Sequence, residues 1–209
     1  MTKPGYLVFG IDVDEPHIFR QYGQGTGPLL AKFGGAVLSA TNRIEILDGN
    51  LSRGRAAVLK FPSLERARAF WQAPEYTPLK ALRESCSRSD VVLVEGTTDE
   101  DPGAAPADEG TPHYMLGGND TKDLSWIPEY QAKVPPISAR YGLKALIASD
   151  QFDVLDGRWD RQSMILLKFP SEDAYRRFWS DPDYLPLKTL REDNTEGDHI
   201  TFPGGYDPI

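Results

Sequence analysis

The chain has 209 residues, 40% hydrophobic and 26% charged, with a net charge of −8, the composition of a soluble globular protein. The acidic balance and the lack of a clustered basic run argue against nucleic-acid and anionic-membrane partners, and no apolar run is long enough to span a bilayer. Met1-Thr2-Lys3-Pro4-Gly5 is too short and polar for a signal peptide, so the expected location is cytoplasmic; Cys86 has no partner for a disulfide or a thiolate metal site and is expected as a half-exposed structural thiol.

Residues 6–13 are β-branched and aromatic and predict a buried strand. Asp14-Glu15-Pro16 predicts a helix start with Asp14 as cap, and Phe19 and Tyr22 share one face of that helix. Gly23-Gln24-Gly25-Thr26-Gly27-Pro28 predicts a break in it; a phosphate-binding loop would instead stand between a strand and a helix. Residues 36–38 read as strand, and residues 43–50 alternate like a half-buried one. Asp48-Gly49 is a hairpin signal, with residues 56–61 returning. Ser63 caps a second helix, Pro74 breaks it before a further segment, and residues 91–94 are the last strand.

The pattern then recurs. Lys60-Phe61-Pro62-Ser63, Phe70-Trp71, Tyr76 and Leu82-Arg83-Glu84 return 108 positions later as Lys168-Phe169-Pro170-Ser171, Phe178-Trp179, Tyr184 and Leu190-Arg191-Glu192, and no gap is needed from Tyr6 to Gly96. A period this long means two whole domains rather than a solenoid. Each reads βαββαβ, two helices on one face of a four-stranded antiparallel sheet whose first and last strands are adjacent. The fold class is therefore α+β, with repeat 1 at residues 1–96, an acidic proline-rich linker at 97–112 and repeat 2 at 113–209.

Each repeat resembles the family of the domain of unknown function 1330, within the dimeric α+β-barrel superfamily. The resemblance rests on Gly5-Tyr6, Asp12-Val13-Asp14-Glu15-Pro16, Phe33-Gly34-Gly35, Glu45 to Gly49, Lys60 to Ser63, Pro74 to Arg83, Ser89-Asp90 and Val94-Glu95-Gly96. It covers the first repeat nearly throughout and the second from about Tyr141 on. It implies that two ferredoxin-like units pack their sheets into a barrel, here inside one chain, so that the protein is a monomeric pseudo-dimer or a homodimer of such chains. It also implies a pocket between sheet and helices, which relatives use as cofactor-free monooxygenases, as cyclases or isomerases, and in haem enzymes. No catalytic residue carries over, because the family has no agreed motif.

The two copies serve as each other's control. Ile11 and Val91 of the first become Asn119 and His199 in the second, at ends of antiparallel neighbours expected to adjoin. Buried polar groups without partners cost about 1–3 kcal/mol, so such a pair favours mutual bonding or a ligand. The expectation is that His199 acts as general acid or base, with Asp120 or Asn119 fixing its tautomer; a satisfied structural histidine is the plain alternative. Asp12 and Asp120 recur in both copies, which favours a structural duty. His17 and His113 are expected at the surface and solvated, and three scattered histidines argue against a metal site. Trp126, Tyr130, Trp179 and Tyr184, with Tyr22 and Trp71 in the first copy, are candidate substrate contacts or simply core, and Arg191, like Arg83, is an ion-pairing residue or a clamp for a ligand carboxylate.

These readings lead to an enzyme without metal or organic cofactor that performs isomerase- or cyclase-type acid–base chemistry on a small aromatic or polyketide-like substrate. A cofactor-independent monooxygenase and a non-catalytic small-molecule binder are the alternatives.

Overall fold

Strand β1 (Gly5–Val13) turns Tyr6 and Val8 to one side and Leu7, Phe9 and Ile11 to the other, since successive side chains of a strand face opposite ways; all five are buried, so the strand needs a layer on each face. The structure is a computed structural model that describes residues 2–51, 53–97 and 110–209. Repeat 1 continues with α1 (Pro16–Lys32), β2 (Ala36–Thr41), β3 (Glu45–Asp48), β4 (Arg55–Phe61), α2 (Leu64–Gln72), α3 (Tyr76–Cys86) and β5 (Ser87–Glu95). Repeat 2 consists of β6 (His113–Thr121), α4 (Ile127–Ala139), β7 (Lys144–Ser149), β8 (Phe152–Asp156), β9 (Met164–Phe169), α5 (Glu172–Trp179), α6 (Leu185–Asn194) and β10 (Thr195–Pro203), followed by β11 (Gly205–Tyr206).

Two sheets form, ordered β11-β2-β4-β1-β5-β8 and β3-β10-β6-β9-β7. As expected, the first and last strands of each repeat are antiparallel neighbours, β1 with β5 and β6 with β10. Tyr6, Val8, Val58, Val92 and Val94 meet Tyr114, Leu116, Leu166, Ile200 and Phe202 between the sheets, and the other strand faces pack on the helices.

The expected hairpin at Asp48-Gly49 does not form. β2 pairs with β4, while β3 leaves its own repeat to pair with β10, and β8 crosses in return to β5. Without that exchange β5 and β10 would be bare edges. Gly49 and Gly157 make the turn after each exchanged strand at φ of 67° and 63°. A Cβ on either would stand 1.9 Å from Asp198 Oδ1 or 2.2 Å from Asp90 Oδ1, so only glycine allows the turn to seat on the opposite repeat. There Asp198 and Asp90 accept the backbone N–H groups of Asn50 and Arg158 at 2.6 and 3.0 Å.

The expected helix break is also absent. α1 runs through three glycines and Pro28, and α4 through Pro135 and Pro136. Each helical glycine costs about 1 kcal/mol relative to alanine. Burial of Phe19, Tyr22, Leu29 and Leu30, at about 1.5–3 kcal/mol per large side chain, outweighs that. At Gly25 a Cβ would meet Leu79 Cδ2 at 2.5 Å, so the bare Cα lets that side chain of α3 rest directly on α1. Ser63 and Ser171 cap α2 and α5 as predicted, accepting from Arg66 N and Ala174 N at 3.2 and 3.1 Å. Asp14 does not cap α1; Glu15 holds that position without a side-chain bond.

Of the expected linker, residues 98–109 lie outside the described residues, while Thr97 is tied to Leu146 and Ala145 by its N–H and hydroxyl at 3.0 and 2.6 Å. No helix among the described residues is long and apolar enough to cross a membrane.

Candidate functional site

Phe9 and Val91, neighbours across β1 and β5, are replaced by Gly117 and His199, neighbours across β6 and β10. The paired change makes local sense. The imidazole lies over the bare Cα of Gly117, where a Cβ would stand 2.1 Å from His199 Cδ2. In repeat 1 the ring of Phe9 fills that side, 5.8 Å from the Arg83 guanidinium.

His199 therefore does not lie opposite the Asn119-Asp120 pair; Gly197 and Glu196 do. Asp120 is corrected as its partner. Side chains alternate along β6, so Asp120 faces away from His199 and takes Arg161 Nη1 at 2.9 Å and Gln162 N at 2.8 Å. Asn119 shares the face of His199 but does not fix its tautomer. Its Oδ1 is buried with no hydrogen-bond partner.

The group that does hold the imidazole is Asp48, from repeat 1. Strand exchange sets Asp48 opposite His199, with Oδ1 2.6 Å from Nδ1. A carboxylate only accepts, so Nδ1 carries the hydrogen, and in the neutral ring the lone pair falls to Nε2. Arg191 Nη1 lies 3.2 Å from Nε2 and 3.5 Å from Nδ1. A donor almost equidistant from both ring nitrogens stands well off the axis of either lone pair, so Arg191 does not occupy the Nε2 lone pair. His199 is 1% exposed, and a cleft of about 230 Å³ lined by Asp48, Arg191, Glu192, Thr195, Gly197 and His199 reaches it.

The predicted aromatics of repeat 2 continue from this set. Arg191 packs 5.9 Å from the Trp179 ring and Trp179 5.8 Å from Tyr184. The hydroxyl of Tyr184 is 3.4 Å from that of Tyr130, and Tyr130 meets Trp126 edge-on at 5.2 Å. Burial pushes the Tyr184 phenol far above the usual tyrosine range, so it stays a neutral donor. Tyr22 and Trp71 belong to the other repeat, Tyr22 bonding Tyr76 at 3.1 Å and Trp71 lying 5.3 Å from Arg83. The structure thus joins His199, Asn119, Arg191, Trp179, Tyr184, Tyr130 and Trp126 in one layer and leaves Asp120, Tyr22 and Trp71 outside it.

Repeat 1 has no counterpart of the imidazole. Arg83, 0% exposed, reaches Asp156 of repeat 2 directly at 2.6 Å, an inter-repeat ion pair, whereas in repeat 2 the histidine ring stands between arginine and aspartate. The repeated Leu-Asp-Gly at 47–49 and 155–157 was the available sign of Asp48. It reads as a turn unless the exchange is known.

Other expectations change on burial. Cys86 is buried, its thiol pushed up by burial and donating to Leu82 O at 3.2 Å. His113 is not solvated; it lies buried 2.6 Å from Thr201 Oγ1, and burial pulls its pKa below the usual histidine value. His17 is exposed, as expected. A second cavity, about 280 Å³, lies between the sheets beside two matching clusters, Arg53 with Asp12 and Asp90, and Arg161 with Asp120 and Asp198. Among the described residues no group of three or more His, Cys, Asp or Glu is placed to hold a metal.

Fold and site together define a dimeric α+β barrel closed within one chain, with one set of histidine and arginine from repeat 2 and aspartate from repeat 1. The chain belongs to the family DUF1330, described as a domain of unknown function, which matches residues 4–97 and again 112–204. No curated protein matches the sequence. Among solved structures it is similar to a protein provisionally described as a monooxygenase from Lactobacillus acidophilus NCFM (TM-score 0.55, 9% identity, covering 95% of this chain and 92% of that one). An anthrone oxidase-like protein is similar over 99% of this chain and 92% of its own, with TM-score 0.51 and 12% identity. A chlorite dismutase variant from Candidatus Nitrospira defluvii gives TM-score 0.60 at 9% identity, covering 99% and 93%. At such identities these likenesses establish the fold.

Proposed function

We propose that the chain is an enzyme that abstracts a proton from a small enolisable carbonyl compound or phenol in the cleft of repeat 2, with His199 as base. The supporting observation is the contiguity of Asp48, His199 and Arg191 at the floor of that cleft. Nε2 takes the proton, the Nδ1 hydrogen stays on Nδ1 and is donated to Asp48, whose carboxylate stabilises the imidazolium, and Arg191 faces the oxyanion that develops. Return of the proton at another carbon completes an isomerisation; attack of the carbanion on a second carbonyl closes a ring. A second reading follows from the fold neighbours described as a monooxygenase and as anthrone oxidase-like. The carbanion of a CH₂ group adds dioxygen, one oxygen atom stays as C=O, and the other leaves as water with both hydrogens. Oxygen consumption separates the two.

The test is wash-out of the methyl protons of acetophenone in D₂O, followed by NMR. The protein should accelerate it, and His199→Gln should lower the rate about 100-fold or more. Equal rates for wild type, variant and buffer would overturn the proposal; acetophenone bound without exchange would mark a binding protein.

A further inference from the structure

Arg55, on β4, is 5% exposed, yet its hydrogen bonds go to backbone carbonyls and not to a carboxylate. Nη2 donates to Ala40 O at 2.8 Å and to Asp207 O at 2.5 Å, while the carboxylate of Asp207 is held by Arg43 at 2.9 and 3.0 Å. A guanidinium has five N–H donors and keeps its charge, so the groups on Nε and Nη1 are left without an acceptor among the described residues. Unlike the unpaired nitrogens of Arg83 and Arg191, these are not sealed from solvent. Burial pulls the Arg55 pKa down by more than Tyr206 and Asp207 restore, as for a cation short of counter-charge. The twin position in repeat 2 is Ser163, bonded to the backbone of Asn119. The fold therefore does not require an arginine here, and a buried cation without a carboxylate is the costlier choice.

The surroundings explain the choice. Arg55 lines a cavity of about 110 Å³ between α1 and the first sheet, walled also by Phe9, Ile11, Phe19, Leu30 and Val37. Tyr206 of β11, brought over from repeat 2 by its pairing with β2, stands at the rim. Its ring lies 6.0 Å from the Arg55 guanidinium, and its hydroxyl 3.5 Å from where a Cβ on Gly23 of α1 would be. Val37 and Tyr206 are 41% and 59% exposed, so the cavity opens to solvent through an apolar rim. Apolar walls around one cation suit one anionic head on an apolar body. A cavity of roughly 150 Å³ holds a benzene ring, so this smaller one suits a short or branched alkyl chain better than a ring system.

We infer that repeat 1 carries a binding site for a small aliphatic monocarboxylate. The carboxylate accepts from the free N–H groups of Arg55, and the alkyl body lies against Ile11, Leu30 and Val37. The site shares no residue with the cleft of His199, and its occupancy does not depend on the proton abstraction proposed there.

The test titrates the intact chain, methyl-labelled at Ile, Leu and Val, with isovalerate and with isovaleramide, which has the same alkyl body and no charge, and follows both by NMR. Wild type should bind the acid about ten- to hundredfold tighter than the amide, the range for hydrogen bonds to a charged partner. The methyl signals of Ile11, Leu30 and Val37 should shift on binding. Arg55→Met keeps an unbranched apolar stem without the charge and should bring the two affinities within about twofold. Should that variant fold poorly, the wild-type preference and the position of the shifts still decide. The inference is overturned by equal affinities in wild type, by a preference that Arg55→Met leaves intact, by the absence of any shift at millimolar acid, or by shifts confined to the amides of Thr195 and Gly197 in the other cleft. Equal wild-type affinities with a lowered Tm in Arg55→Met would leave Arg55 as an anchor for residues 205–207 only.

Discussion

Grafting the first repeat's pair into the second, Gly117→Phe with His199→Val, tests whether these two positions share one volume. Alone, Gly117→Phe drives its Cβ to 2.1 Å from His199 Cδ2, an overpacking of about 3 kcal/mol. Alone, His199→Val removes a ring that is 1% exposed and its 2.6 Å bond to Asp48, which costs about 2–4 kcal/mol in cavity and lost bonding. If the effects were independent, the double variant would lose about 5–7 kcal/mol. Together, however, they recreate the arrangement of Phe9 and Val91, which repeat 1 holds between the same strands. The expected loss is then under about 3 kcal/mol, a favourable coupling of at least about 2 kcal/mol. Equilibrium urea unfolding of wild type, both single variants and the double variant, compared at constant m, measures it. Additivity within about 0.5 kcal/mol would refute the claim that the imidazole occupies the space of the missing phenylalanine.

Asp156→Ala should destabilise the chain by about 3–5 kcal/mol in the same assay, because Arg83, 0% exposed, loses the carboxylate 2.6 Å away; a loss below about 1 kcal/mol would show that Glu84 and the aromatic rings suffice to hold that cation. Asp198 is held below the usual carboxylate value of 3.8, chiefly by the hydrogen bond from Arg161. Its folded pKa is depressed, so its stabilising contribution is complete above that value and is lost as pH falls through the lower, folded one. Arg161→Gln should flatten this acid limb of a plot of Tm against pH. His113, lowered from 6.5 chiefly by burial, contributes stability above 6.5 that is lost as pH falls towards its folded pKa. His113→Gln should remove that earlier decline; an unchanged curve would place the titrating group elsewhere.

The duplication was legible because Trp, Pro, Gly and Lys signatures recur at one spacing, and the strand and helix order followed from periodicity and capping. Serine caps were legible too, since Ser63 and Ser171 act on backbone only three residues ahead. The α1 break was misread because propensity counts three glycines and a proline as losses, whereas the close approach of Leu79 to Gly25 is a tertiary fact. The exposure of His113 and of Cys86 was misjudged for a similar reason, as both are covered by elements distant in sequence.

For the candidate site, comparing the copies singled out His199 and Asn119, since a polar residue where the twin is apolar shows in the letters themselves, whereas Arg191 was noted as a charge matched by Arg83. Sequence alone thus determined that two like domains exist and that one of them had gained polar groups on its inner strands. Which groups meet was decided only in three dimensions. Residues 119 and 120 differ by one position, yet the strand period of two sends them to opposite faces. Asp48 reaches His199 because β3 abandons its own repeat to cover the edge of β10, and unpaired backbone at that edge, rather than any pattern in the chain, is the physical reason.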